Sequence, residues 1–152
     1  KVIALGLLAI LFCLMVFFRS WTTVLLVLVP VVAAISWLAG LFWLLDWKIN
    51  LYNIITFSLL VGMGVDDGIH ITSRWLENGR MNVRTVVRET GTAIGLTTVT
   101  TCIGFAGLVL SNHMGLSTLG STAALGMVLT FVASVTTLPA LLTLCSRSPN
   151  QS

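Results

Sequence analysis

Two adjacent carboxylates and a histidine, Asp66, Asp67 and His70, sit inside a largely apolar run from residue 49 to residue 72. An acid at the centre of a bilayer costs about 2.5–3.5 kcal/mol on insertion scales, so one retained there is read first as a functional site. Asp66 and His70 are four residues apart and share a helical face, whereas Asp67 is turned about 100° away. A rise of 1.5 Å per residue puts Asp66 about 12 Å from Arg74, well below the membrane surface. Gly62, Gly64 and Gly68 interrupt the same run, and Gly64 with Gly68 makes a small-xxx-small face that another helix can approach closely. Thr97, Thr98, Thr100 and Thr101 form the nearest hydroxyl-rich stretch, with donors able to answer a charged carboxylate.

Other chemistries fit these residues less well. Three metal ligands on little more than one helical turn rarely converge, and the sequence has no second His/Asp/Glu cluster, so no metal and no organic cofactor are expected. An intramembrane protease needs carboxylates from separate segments, and the other acid placed near the membrane is Asp46. The glycines lack dinucleotide-fingerprint spacing, with no strand before them. The acids could also be structural, paired to a cation on another helix. Proton or cation coupling leads, with the proton as the expected coupling ion. His70 stands equally as an inward proton relay or as a hydrogen-bonded packing residue. His113, beside Asn112, reads as a solvated loop residue.

The elements that position these groups follow from composition. With 57% hydrophobic and 9% charged residues and a mean hydropathy of +1.02, a chain of this size cannot hide its hydrocarbon in a soluble core. The fold expected is all-α, a polytopic membrane bundle. Five segments are long enough to span, at residues 2–18, 22–45, 49–72, 93–110 and 116–144. Arg19, Arg74, Arg80, Arg84, Arg88 and Arg147 fall on one side of the membrane, and Lys1 and Lys48 on the other. The first side is therefore cytoplasmic, with a cytoplasmic tail at 146–152. The net charge of +3 is an orientation signal, and no nucleic-acid partner is implied. A chain that begins with an inward span points to a fragment lacking a preceding span and extracytoplasmic part.

Arg80, Arg84 and Arg88 recur every fourth residue, with valines filling the opposite side. This predicts a short interfacial helix at about 78–91, its arginines on anionic headgroups. Trp21 and Trp75 are placed at the cytoplasmic interface and Trp43 and Trp47 at the opposite one. Trp37 is expected between helices. Pro30 should bend the second span without functional consequence. Cys13, Cys102 and Cys145 read as small core residues, with no disulfide implied.

The stretches GMGVDDGIH (62–70), ETGTAI (89–94) and LTTVTTCIGF (96–105), with SNHMGL (111–116) and LPAL (138–141), resemble the membrane half-domain of the resistance-nodulation-division superfamily. The nearest branch is the MMPL-type and lipid exporters, with Patched-like sterol-sensing proteins further off. The resemblance implies spans two to six of one six-span half, residues 1–145, with the rest of the same transporter as partner. It implies that Asp66 occupies the proton-relay position, with Asp67 beside it where many MMPL-type proteins carry tyrosine or asparagine. The function it implies is proton-driven export of lipids or other hydrophobic molecules across a cell inner membrane. That is secondary transport and not catalysis. Two alternatives stay open: a sterol-sensing-like lipid-binding or assembly domain, and a SecD/SecF-like translocation accessory. A homo-oligomer is among the partners the resemblance leaves open.

Overall fold

A computed structural model describes residues 2–48, 50–77 and 83–147. The chain forms five helices, α1 (Val2–Phe18), α2 (Trp21–Leu44), α3 (Leu51–Glu77), α4 (Val83–Val109) and α5 (Met114–Arg147). Of these, α2, α3, α4 and α5 are long and apolar enough to cross a membrane. With 17 residues, α1 stands at the short end of the roughly 17–25 that a bilayer accepts. The all-α polytopic bundle is thus present.

The elements order themselves around α5, which packs on α2, α3 and α4, while α1 packs on α2. Helices α3 and α5 run side by side in the same direction. Leu60 meets Gly126, Gly64 meets Thr130, and Ile71 and Trp75 share a buried cluster with Leu138 and Leu142. A second cluster joins Leu14 of α1 to Val24, Val27, Val31 and Val65. A third, toward the other end of the bundle, holds Leu38, Phe42, Leu60 and Met127. Near that end the fully buried Asn53 accepts a hydrogen bond from Thr122 at 3.3 Å and donates to the Lys48 carbonyl at 3.2 Å. Where α1 gives way to α2, Arg19 takes φ 50° and its amide bonds the Met15 carbonyl at 2.9 Å. That left-handed residue closes α1 and lets α2 begin two residues later.

Several expectations change. Residues 83–91 are not a separate interfacial helix: they are the first turns of α4, which runs without a break to Val109. The remainder of that segment, including Arg80, lies outside the described residues. The continuity has a local cause, since Val86 and Gly91 are both buried and their face of the helix already packs on the bundle. Trp75 is 5% exposed and belongs to the core, so it is no interface anchor. Trp37 is 42% exposed and faces outward. Cys13 is exposed, while half-buried Cys102 donates to the Ala124 carbonyl at 3.6 Å.

Candidate functional site: two carboxylates in a threonine-lined cavity

The middle turns of α3, α4 and α5 enclose a cavity of about 160 Å3. Asp66, Asp67 and Met63 enter it from α3, Thr97, Thr98 and Thr101 from α4, and Met127 and Thr130 from α5. The helical periods place them there. Asp66 and Asp67 follow Met63 by one turn, and Thr97, Thr98 and Thr101 recur at the three- and four-residue spacing of one face. Asp66 is exposed, on the open side of the cavity, whereas Asp67 is half-buried. Thr130 is buried against α3, its methyl in the space where a Gly64 side chain would begin.

The hydroxyls are arranged differently from the expectation of donors aimed at charge. Thr97 and Thr98 both donate to the Ile94 carbonyl at 2.8 Å, Thr101 to Thr97 and Thr130 to Gly126 at the same distance. Each hydroxyl therefore gives its proton to its own helix and keeps lone pairs free to accept. A protonated carboxyl, which carries a donor, finds acceptors there. A carboxylate finds a donor only after a hydroxyl rotates off its backbone carbonyl. Among the described residues neither carboxylate holds a hydrogen bond or an ion pair, so both are available to a proton, a cation or a group from elsewhere. Thr100 lies outside this cavity, exposed and bonded to the Leu96 and Thr97 carbonyls.

His70 is exposed and lines a separate cavity one turn further along α3. Arg84 and Arg88 are exposed in the first turns of α4, beside Thr85, Glu89 and Thr92. The glycine roles divide. A Cβ on Gly68 would lie 2.9 Å from the Val27 carbonyl, and one on Gly64 would lie 2.8 Å from Thr130 and 3.1 Å from Val31. The close approach at this face is therefore by α2 and α5, not by the threonine-rich α4. A Cβ on Gly62 would meet nothing within 4 Å, so Gly62 packs against none of the described residues. Thr130 and the two methionines went unread in the sequence. No acid or histidine marks them, and the parallel pairing of α3 with α5 that brings them in is a tertiary feature.

No three His, Cys, Asp or Glu side chains come together as a metal-binding group among the described residues. An apolar groove of about 450 Å3 runs between α1 and α3, past Ile10, Cys13, Phe17, Val65 and Ile69.

Similarity to known proteins bears on this arrangement. The chain is 37% identical over 148 residues to a membrane protein of Methanocaldococcus jannaschii, an alignment covering 93% of this chain and 38% of that one. It is 32% identical over 137 residues to the hopanoid transporter HpnN of Rhodopseudomonas palustris, covering 90% and 15%. It is 31% identical over 163 residues to MmpL10 of Mycobacterium leprae, named a probable transport protein, covering 94% and 15%. The chain thus spans 38% or less of these relatives. No solved structure gives a significant match. The MMPL family's sequence profile matches residues 1–152 from end to end, and the polytopic helical bundle agrees with the motif resemblance: the chain belongs to the MMPL family.

Proposed function

We propose that this bundle is part of the membrane domain of a proton-motive-force-driven exporter of lipids or other hydrophobic molecules, with Asp66 as the coupling group and Asp67 as its partner. The observation that carries the reading is the placement of both carboxylates in one small cavity walled by four threonines, in the middle turns of spanning helices. Protonation neutralises a charge that is costly at that depth and exchanges the need for donors for a need for acceptors. The threonines can meet either state by rotating, and the helices that carry them repack accordingly. One charge crossing the membrane is worth about 2.3 kcal/mol per 100 mV. That is ample against the about 1.4 kcal/mol that changes a two-state equilibrium tenfold. Similarity to a hopanoid transporter supports a lipid as the cargo, and the excess of arginine at one end supports an inner membrane with that end in the cytoplasm.

The test is export in cells carrying the full-length protein. Asp66→Asn is expected to abolish the protein-dependent lipids of the outer envelope fraction, read by mass spectrometry, at unchanged protein level in the membrane. Undiminished export by that variant would sink the assignment.

The apolar groove between α1 and α3 favours a second reading, a lipid-binding domain without turnover. It separates cleanly from the first. Lipid retained by the purified protein would then be indifferent to a proton gradient and to Asp66→Asn.

A further inference from the structure

Helix α4 is longer than a bilayer requires. Its 27 residues rise about 40 Å at 1.5 Å each, against a hydrocarbon core about 30 Å thick. The polar residues Ser111, Asn112 and His113 follow its far end, so that end lies at a membrane boundary and the surplus falls in the first two turns. Arg84 and Arg88 thus stand at headgroup depth, and both are exposed. They hold that depth on an upright helix, with the hydrocarbon-facing part of the same helix directly below them.

At about 100° per residue, Thr85, Thr92, Leu96, Val99 and Ile103 fall within about 60° of one another, with Arg88 at the edge that Val99 marks. Leu96, Val99 and Ile103 are 68%, 55% and 67% exposed, while Ile94 and Thr98 on the opposite side are buried. This face is the back of α4, turned away from the bundle. Gly104 is about 100° further round than Ile103, so the open side of the acid cavity is a different surface. An open hollow of about 710 Å3 lies against Arg84, Thr85, Arg88, Glu89 and Thr92. Among the described residues neither arginine has a carboxylate within 4 Å, the one ion pair being Arg74 with Glu77 on α3. Two arginines and one glutamate leave this end of the face with a single net positive charge. That is the complement of a phosphodiester. The face therefore presents, in order, a cation at headgroup depth and bare hydrocarbon beneath it.

We propose that the back of α4 is a binding site for an anionic glycerophospholipid, with Arg84 and Arg88 on its phosphate and Leu96, Val99 and Ile103 along its acyl chain. Guanidinium groups suit phosphate because their donors form a planar fork. Thr85 offers a hydroxyl beside them. A zwitterionic lipid brings its own ammonium to the same place and gains less, and another apolar helix would leave both arginines without an anion. The site carries no part of the proton-coupling reading, and either can fail alone.

The experiment uses full-length protein in phosphatidylcholine nanodiscs that contain a phosphatidylglycerol or a phosphatidylcholine carrying a diazirine in mid-chain. Cross-linked peptides are mapped by mass spectrometry. The phosphatidylglycerol probe is expected to mark residues 96–103 more strongly than the phosphatidylcholine probe does. Arg84→Ala/Arg88→Ala should lower that mark about tenfold and leave marks on α1 unchanged, which also reports that the variant is folded. Arg84→Lys/Arg88→Lys keeps the charge and should keep most of the mark, and Glu89→Gln should raise it. Equal marking by the two probes, or marking indifferent to the arginines, overturns the proposal. Loss of the mark to excess inorganic phosphate at constant ionic strength also overturns it, by making the site one for a free anion. Failure of both probes to reach residues 96–103 overturns it by placing protein over the face.

Discussion

Asp66 and Asp67 are neighbours in sequence with different surroundings, and their variants should part accordingly. Asp66 stands on the open side of the cavity, so Asp66→Asn alters a charge and little packing. Its membrane level and thermal midpoint in detergent should match those of the unaltered protein. Asp67 is half-buried beside the α4 threonines. The glycines offer a sharper contrast. A Gly68→Ala methyl would press on the α2 backbone at the Val27 carbonyl, 2.9 Å away, and backbone cannot rotate aside. Overpacking of that kind costs about 1–3 kcal/mol, a clear drop in midpoint. Gly62→Ala, with open space around it, should leave the midpoint in place. Equal midpoints for the two alanine variants would contradict the α2–α3 contact. The sequence shows Gly64 and Gly68 as a close-packing face, because small-xxx-small spacing is local. It cannot show which helix arrives there, and the threonine-rich α4 was the wrong partner.

At the scale of the helices, α5 carries the bundle, and among the described residues its side-chain bond to the first turn of α3 runs from Thr122 to Asn53. Interhelical hydrogen bonds in membranes average about 0.6 kcal/mol, and Thr122→Val should cost about that much in an unfolding equilibrium. A loss of several kcal/mol would mean that Asn53 has no second partner, against its bond to the Lys48 carbonyl. The spans were legible because a run of twenty apolar residues has few other uses, and α2, α3 and α5 begin and end within a few residues of where hydropathy put them. What failed was anything that turns on facing. Arginines every fourth residue look alike on a horizontal helix and on the first turns of a vertical one, and burial of Val86 and Gly91 decided for the second. A tryptophan near a span end looks like an anchor until Leu138 and Leu142 are found over it, as they are at Trp75. In a membrane both the lipid side and the protein side are apolar, so periodicity does not separate them.

At the scale of the whole molecule, the α3–α4 face with Gly62, Asp66 and Gly104 is open, and a Cβ at either glycine would meet nothing within 4 Å. A carboxylate does not face hydrocarbon without cost, and the chain spans only 15% of HpnN. The remainder of the protein, or a second copy, is therefore expected over that face. A photo-crosslinker at position 62 of the full-length protein should capture a peptide from outside residues 1–152 or from another copy, and capture of lipid alone would contradict this. The central claim is that a proton on Asp66 drives movement, and it is tested most directly in proteoliposomes of full-length protein loaded with a pH-sensitive dye. An imposed proton gradient in the presence of the exported lipid should produce protein-dependent proton flux that disappears in Asp66→Asn. Flux of undiminished size in that variant would contradict the account.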